Sequence, residues 1–419
     1  MTIAVRAASA CAMLIITLAA PSVRAADAPD GTRIAAARSP ISIVGGRLAG
    51  AGGEVLRDAF ASSQFVLLGE EHGTAEIPRF AGAVFDALAP LGYRTIAVET
   101  GPVLTRHLRG WIADPNGTKA FSTFERRFPG TTAFYSWSDE FAFLAGAARR
   151  VPGLRLWGLD QELMGAPGFL FAEMLARHPG RRSRALIAAM NAENDADYAH
   201  ASQTGAPPDA YLMRVPRADL VRLQRSLATD GDAEARRLAA SLLATHDIYV
   251  DCCNDKANES NRNRAILMKR TLHDYIGAAP LPKVLFKFGE EHLYRGLNPV
   301  NNYDLGNHLY ELGDTDGLKS VGILALGVSG TKTVFGGFGK PWRTAPSDTI
   351  GDPRFAYLAP FIAAMYPQGW TLYDLRSFRS HFNGVGIADR NFRMLTYGYD
   401  FLLLIPNVTP DPAIDPTVF

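Results

Sequence analysis

Two short apolar runs far apart in the chain, Phe65-Val66-Leu67-Leu68 and Lys283-Val284-Leu285-Phe286-Lys287-Phe288, both end in Gly-Glu-Glu-His. Each is of strand length and closes on a turn signal, so each reads as a buried strand. The first leads into an amphipathic helical pattern through Phe80, Val84, Phe85 and Leu88, then a second strand at Thr95-Ile96-Ala97-Val98. This is a βαβ unit, whose crossover helix makes the strands parallel. Helical patterns from Val103 to Ile112 and from Ser138 to Arg150, with Ser136 and Ser138 as candidate caps, lead to a third strand at Leu154-Arg155-Leu156-Trp157. After the second apolar run, strand patterns recur at Ser320 to Leu326, Thr371 to Tyr373 and Asp400 to Ile405. The expected fold class is α/β: a largely parallel central sheet flanked by helices, with ligands at the carboxyl ends of the strands.

Between the third and fourth strands, residues 161–280 are rich in Ala, Leu, Arg and Glu at helical spacing and hold no convincing strand. They read as a helical insertion, a cap on a single α/β domain spanning 26–419. Residues 1–25 read as a secretory signal peptide: Arg6, an apolar run from Ala7 to Ala20, then Val23-Arg24-Ala25 before the cleavage point. The run is shorter than the roughly 18 residues of a spanning helix, so the expectation is export to the periplasm without stable membrane insertion. With 43 Lys and Arg against 42 Asp and Glu, the net charge of +1 gives no reason to expect a nucleic-acid partner. The glycines from Gly45 to Gly53 follow no strand and read as turns. Past the signal only Cys252 and Cys253 remain, so the fold rests on its core and not on disulfides.

The strand ends carry the reactive residues. If the extended backbone continues past the first strand, Glu70 and His72 point to one side and Glu71 to the other; the fourth strand is expected to present Glu290 and His292 likewise. Glu99 ends the second strand and Asp160 the third. Carboxylates with neutral imidazoles suit two chemistries. They hold zinc, manganese or iron, for which His72, Glu99 and His292 are the ligand candidates. Without metal, His72 acts as general base on water while His292 or Arg79 stabilises the oxyanion. The residues leave both open. A Gly-x-Ser-x-Gly elbow and a His-Glu-x-x-His zinc motif are both absent, which weighs against serine-nucleophile and zincin chemistry.

Taken in order, Phe65 to Glu76, Gly92 to Glu99, Leu156 to Asp160, Asn261 to Met268, Val284 to Arg295 and the Leu305-Gly306-Asn307-His308-Leu309 segment resemble the landmarks of the erythromycin esterase family. Tyr373 to Arg376 and Tyr399 to Thr409 resemble its closing strands. The wider superfamily includes the Tiki-type metalloproteases and the ChaN haem-iron-binding proteins. The resemblance implies an esterase-like site in which Glu70, His72, Arg79, Glu99 and His292 activate water and support the transition state. Glu290 and Asp160 are then candidates for substrate binding. The spacing of Glu70 and His72 resembles the Tiki and ChaN branches, and Gly289 stands where the esterases usually carry a histidine.

The expected function is an exported hydrolase cleaving an ester or similar acyl bond of a small molecule. The alternatives are a Tiki-like metal-dependent peptidase and a ChaN-like haem or iron carrier without turnover, for which Tyr294 and His308 are the nearest iron-binding candidates. Tyr211, Met213 and Tyr249 are candidate pocket residues of the cap.

Overall fold

The computed structural model describes residues 31–277, 280–347, 349–379 and 390–417, so the signal-peptide reading of 1–25 lies outside the described residues. Its strands are β1 (Arg38–Val44), β2 (Arg47–Ala49), β3 (Ser63–Glu70), β4 (Thr95–Val98), β5 (Arg155–Gly158), β6 (Val284–Gly289), β7 (Lys319–Gly327), β8 (Thr331–Val334), β9 (Arg343–Pro346), β10 (Trp370–Asp374) and β11 (Phe401–Ile405). Nine of them form one sheet in the order β2-β1-β10-β11-β7-β3-β6-β4-β5, and β8 pairs with β9 in a separate hairpin. The run from β11 to β5 is parallel throughout. The other edge is antiparallel, because β10 runs against β11, β1 against β10 and β2 against β1.

Apolar residues on both sides of each central strand explain why the sheet is covered twice. On one face Val66, Leu68 and Ile96 pack with Phe80, Val84 and Phe85 of the helix Glu76–Leu88. On the other, Phe65, Leu67 and Phe286 join Met268 and Leu272 of the helix Ala257–Ile276. The helices between β5 and β6 build an apolar cluster of their own around Phe169, Leu170, Leu223 and Leu242. Among the described residues no helix is long and apolar enough to cross a membrane.

Two hairpins lie outside the strands expected from the sequence. In β1-β2 the turn is Gly45-Gly46, with φ of 57° and 76°. Consecutive left-handed residues are what a two-residue hairpin turn demands, and glycine meets that demand without strain. The β8-β9 hairpin is short, exposed and rich in Thr, Lys and Arg, so it carries little apolar alternation to detect. It is pinned to the turn after β3: Thr333 N–H donates to the Gly73 carbonyl at 2.8 Å. Gly73 has φ +89°, and a side chain there would meet the Thr333 carbonyl at 2.1 Å, so the close approach requires glycine.

Candidate active site

The register of β3, β6 and β4 sets the site. Glu70 pairs with Gly289, Leu68 with Lys287, and Val98 with Lys287 on the other side. Residues in register on parallel neighbours face the same way, so Glu70 and Lys287 share a face and Gly289 occupies the position beside Glu70. Glu99 follows directly on β4.

Four side chains converge there. His72 Nδ1 is hydrogen-bonded to Glu70 Oε1 at 3.0 Å, and its Nε2 lies 3.5 Å from Glu99 Oε2. His292 repeats the pattern, with Nδ1 at 3.0 Å from Asp304 Oδ2 and Nε2 at 3.5 Å from Glu99 Oε1. One carboxylate thus stands between two imidazoles, each oriented from behind by a second carboxylate. Glu99 is fixed by the Gly289 N–H, which donates to Oε2 at 2.5 Å, and by Arg264 Nη2, which donates to Oε1 at 2.7 Å. Arg264 comes from the helix Ala257–Ile276 and is gripped by both oxygens of Asp160. Beneath Glu70, the buried Lys287 ammonium bridges Glu70 and Glu140, at 2.6 and 2.5 Å. The Phe134 ring stacks on His72 with centroids 4.0 Å apart.

Electrostatics follow from this packing. Burial opposes charge on His72, yet Glu99 and Glu70 outweigh it and raise the pKa to about 10, so the resting ring is an imidazolium. Burial and the neighbouring Arg264 cation oppose charge on His292, yet Glu99 and Asp304 outweigh them and raise its pKa as well. Glu99 is held well below the usual carboxylate range: burial works against its charge, but His292, His72 and Arg264 prevail. In the layer below, burial lifts Glu140 to about 8, whereas Lys287 and His72 overcome burial and lower the pKa of Glu70.

Of the residues expected at the site, Glu70, His72, Glu99 and His292 are brought together. Two others are placed differently. Arg79 is exposed and forms a two-pronged ion pair with Asp139, away from the site; the guanidinium beside Glu99 is that of Arg264. Glu290 does not repeat Glu70, because β6 ends at Gly289 and Glu290–Leu293 coil into a 3-10 turn. It lines a separate hollow with Arg354 and Tyr357, and burial lifts its carboxyl to about 7. Asp160 stands at the site, engaged by Arg264 and by the Gln161 N–H.

For the carrier alternative, Tyr294 is 1% exposed and packed on Tyr399, while His308 faces His273 with their Nε2 atoms 3.0 Å apart. A divalent ion held by His72, Glu99 and His292 would lie against the Arg264 guanidinium, whose charge is permanent. No group of three His, Cys, Asp or Glu suited to a metal occurs among the described residues.

Sequence reasoning missed Arg264, Lys287, Asp304 and Phe134. Lys287 left a signal, a lone charge within an otherwise apolar strand, since a buried lysine demands carboxylate partners, and Arg264 lay within the Asn261 to Met268 landmark without being singled out. Of the cap candidates, Tyr211 is buried in the helical cluster and Tyr249 lines a cavity beside the site.

No family profile and no curated protein sequence matches the chain. Solved structures do. An erythromycin esterase variant in its open conformation superposes with a TM-score of 0.59 at 17% identity, over 86% of this chain and 95% of that one. The chain shares the fold of an erythromycin esterase. A protein from Bacillus cereus aligns over 92% of this chain and all of its own length, with TM-score 0.56 and 15% identity. A succinoglycan biosynthesis protein gives 0.56 and 16%, over 92% of this chain and 98% of that one. At these identities the likeness to the esterase is one of fold, and the chemistry rests on the residues present here.

Proposed function

We propose that the chain is a hydrolase of an ester or similar acyl bond, with His72, Glu99 and His292 as its proton-handling centre. The observation that carries this reading is the pair of imidazoles turned on one carboxylate, each with its far nitrogen fixed by another acid. Fixing the far nitrogen sets the tautomer and leaves Nε2 to work, the logic of acid-oriented histidines in acyl transfer.

Two like groups in unlike surroundings divide the labour. His72 has no cation against it and two carboxylates on it, so it keeps its proton and offers Nε2–H to the carbonyl oxygen as negative charge develops. Arg264 beside His292 opposes its charge although Glu99 and Asp304 raise its pKa overall, and in its deprotonated form His292 is the base for water. Glu99 lies between them and steadies whichever ring is charged. Lys287 keeps Glu70 ionised and in place behind His72. The acyl carbonyl is attacked by water, the proton passes to His292, and the leaving alkoxide is protonated from the same centre.

The reading is tested with the purified chain and a panel of simple carboxylic esters. Hydrolysis is expected to persist in chelator, and His72→Ala and His292→Ala are each expected to lower kcat by roughly 10²-fold or more. Near wild-type turnover in both variants removes the proposed centre. Chelator-sensitive activity restored by Zn²⁺ or Mn²⁺ returns the metal-dependent peptidase to first place.

A further inference from the structure

Phe134, which lies flat on His72, also lines a cavity of about 310 Å³ beside the site. Its wall is largely aromatic, with Phe134 and Trp137 from the loop before the helix Ser138–Arg150 and Phe335, Phe338 and Trp342 from the tip of the β8-β9 hairpin. These rings brace one another: Trp137 and Trp342 meet edge to face at 5.4 Å, as do Phe335 and Phe338 at 5.5 Å.

The polar groups at the wall define what it can hold. Lys340 is engaged outward, its ammonium donating to the Gln203 carbonyl at 3.1 Å. Glu125 has its pKa raised by burial, and its Oε1 accepts from the Thr132 and Ser136 hydroxyls. The Lys340 ammonium is thus turned toward Gln203, and the two hydroxyls occupy one Glu125 oxygen. Trp137 is 3% exposed, and its Nε1, without a hydrogen-bond partner among the described residues, is buried away from the cavity surface.

The hairpin that carries three of the cavity's six rings, Tyr249 being the sixth, is tied to the first Gly-Glu-Glu-His motif. Lys332 Nζ donates to Glu71 Oε1 at 2.6 Å and the Ser347 hydroxyl to Glu71 Oε2 at 2.7 Å. Glu71, facing away from Glu70 and His72, therefore anchors the cavity wall, while its neighbours in the motif form the reactive centre.

We infer that this cavity seats an aromatic group of the substrate, making the preferred substrate an ester with a one- or two-ring aryl group. This rests on the hydrolase reading for its chemistry. The rings supply flat apolar contact, and Phe134 places the aryl group next to His72. Ligand pockets run from about 300 to 1,000 Å³, so a cavity at the lower end suits small ring systems.

The test uses the full chain and two probes, 2-naphthol for binding by calorimetry and 2-naphthyl acetate against ethyl acetate for turnover. Wild type is expected to bind 2-naphthol and prefer the naphthyl ester. Phe335→Ala and Trp342→Ala, both at a hairpin tip where folding is little affected, are expected to weaken binding about tenfold or more and reduce the preference about tenfold. Wild type that does not bind 2-naphthol, or variants that bind it as well, overturn the inference. Binding weakened by both variants in a protein that cleaves no ester keeps the aromatic site and removes the hydrolase reading. Ester cleavage without 2-naphthol binding does the reverse.

Discussion

The two Gly-Glu-Glu-His segments have identical sequence and different jobs. In β3 the strand runs on through Glu70, whose carboxylate holds His72 and Lys287, while Glu71 on the other side holds the β8-β9 hairpin. In β6 the strand stops at Gly289, and the rest coils into a 3-10 turn that delivers His292 to Glu99 but leaves Glu290 outside. The cause is register. Because Glu70 pairs with Gly289, the second motif sits one residue further along the sheet than the first. With a side-chain period of two, a one-residue offset sends equivalent residues to opposite faces. The place beside Glu70 falls to a glycine, and that emptiness is used: a side chain at Gly289 would come within 2.8 Å of His72 Nε2 and 3.3 Å of Glu99 Oε2.

The largest expected effect probes the residue that the offset places under Glu70. Lys287→Met leaves Glu70 and Glu140 buried without their cation, and breaking such a cluster costs about 3 to 5 kcal/mol. Urea denaturation is expected to show that loss, and an unchanged midpoint would mean that the buried cluster is not ionised. Next comes the direct contrast. Glu70→Gln is expected to lower kcat by about 10²-fold, equivalent to about 2.7 kcal/mol in the barrier, while Glu290→Gln stays within about threefold of wild type. Equal losses would show that the second motif serves the reaction as the first does.

The glycines give a third contrast. At Gly69 a side chain would strike the Tyr399 hydroxyl at 2.1 Å, the group that donates to the Glu290 carbonyl at 2.5 Å. Gly69→Ala is therefore expected to cost about 1 to 3 kcal/mol of stability through overpacking. Gly289→Ala is expected to act mainly on turnover by displacing His72, and thermal melts with ester assays on both variants separate the two effects. The last contrast is a pH dependence. His72 has its folded pKa raised to about 10, above an ordinary value of 6.5. The folded state then binds the extra proton between those values, so the stabilisation is full below about pH 6.5 and is lost as pH rises through about 10. Wild type is expected to lose more stability than His72→Gln between pH 6.5 and 10, and parallel curves would show that the ring is neutral at rest.

The architecture was written in local pattern. Apolar runs such as Phe65 to Leu68 and Thr95 to Val98 became central strands, and the helix expected from Ser138 to Arg150 forms over that span. Both follow from periodicity, which needs no knowledge of distant residues. The same pattern put Glu70, His72, Glu99 and His292 at the carboxyl edge, since residues that end parallel strands share an edge whatever their order in the chain. Extending the alternation past β6 failed for Glu290, because a strand persists only while a neighbour pairs with it, and β6 ends where the 3-10 turn begins.

What no local pattern contains is which charge meets which. Arg79 and Arg264 are both arginines on helices; one spends its guanidinium on Asp139 at the surface and the other reaches Glu99 and Asp160. That choice depends on how the helix Ala257–Ile276 packs across the sheet, a contact between segments more than a hundred residues apart in sequence. The sequence by itself determined the sheet, its reactive edge and the acids and histidines available there. Tertiary packing decided their partners, and so their charges, because ionisation in a buried site is set by burial and by the nearest opposite charge, neither of which a stretch of chain supplies for itself.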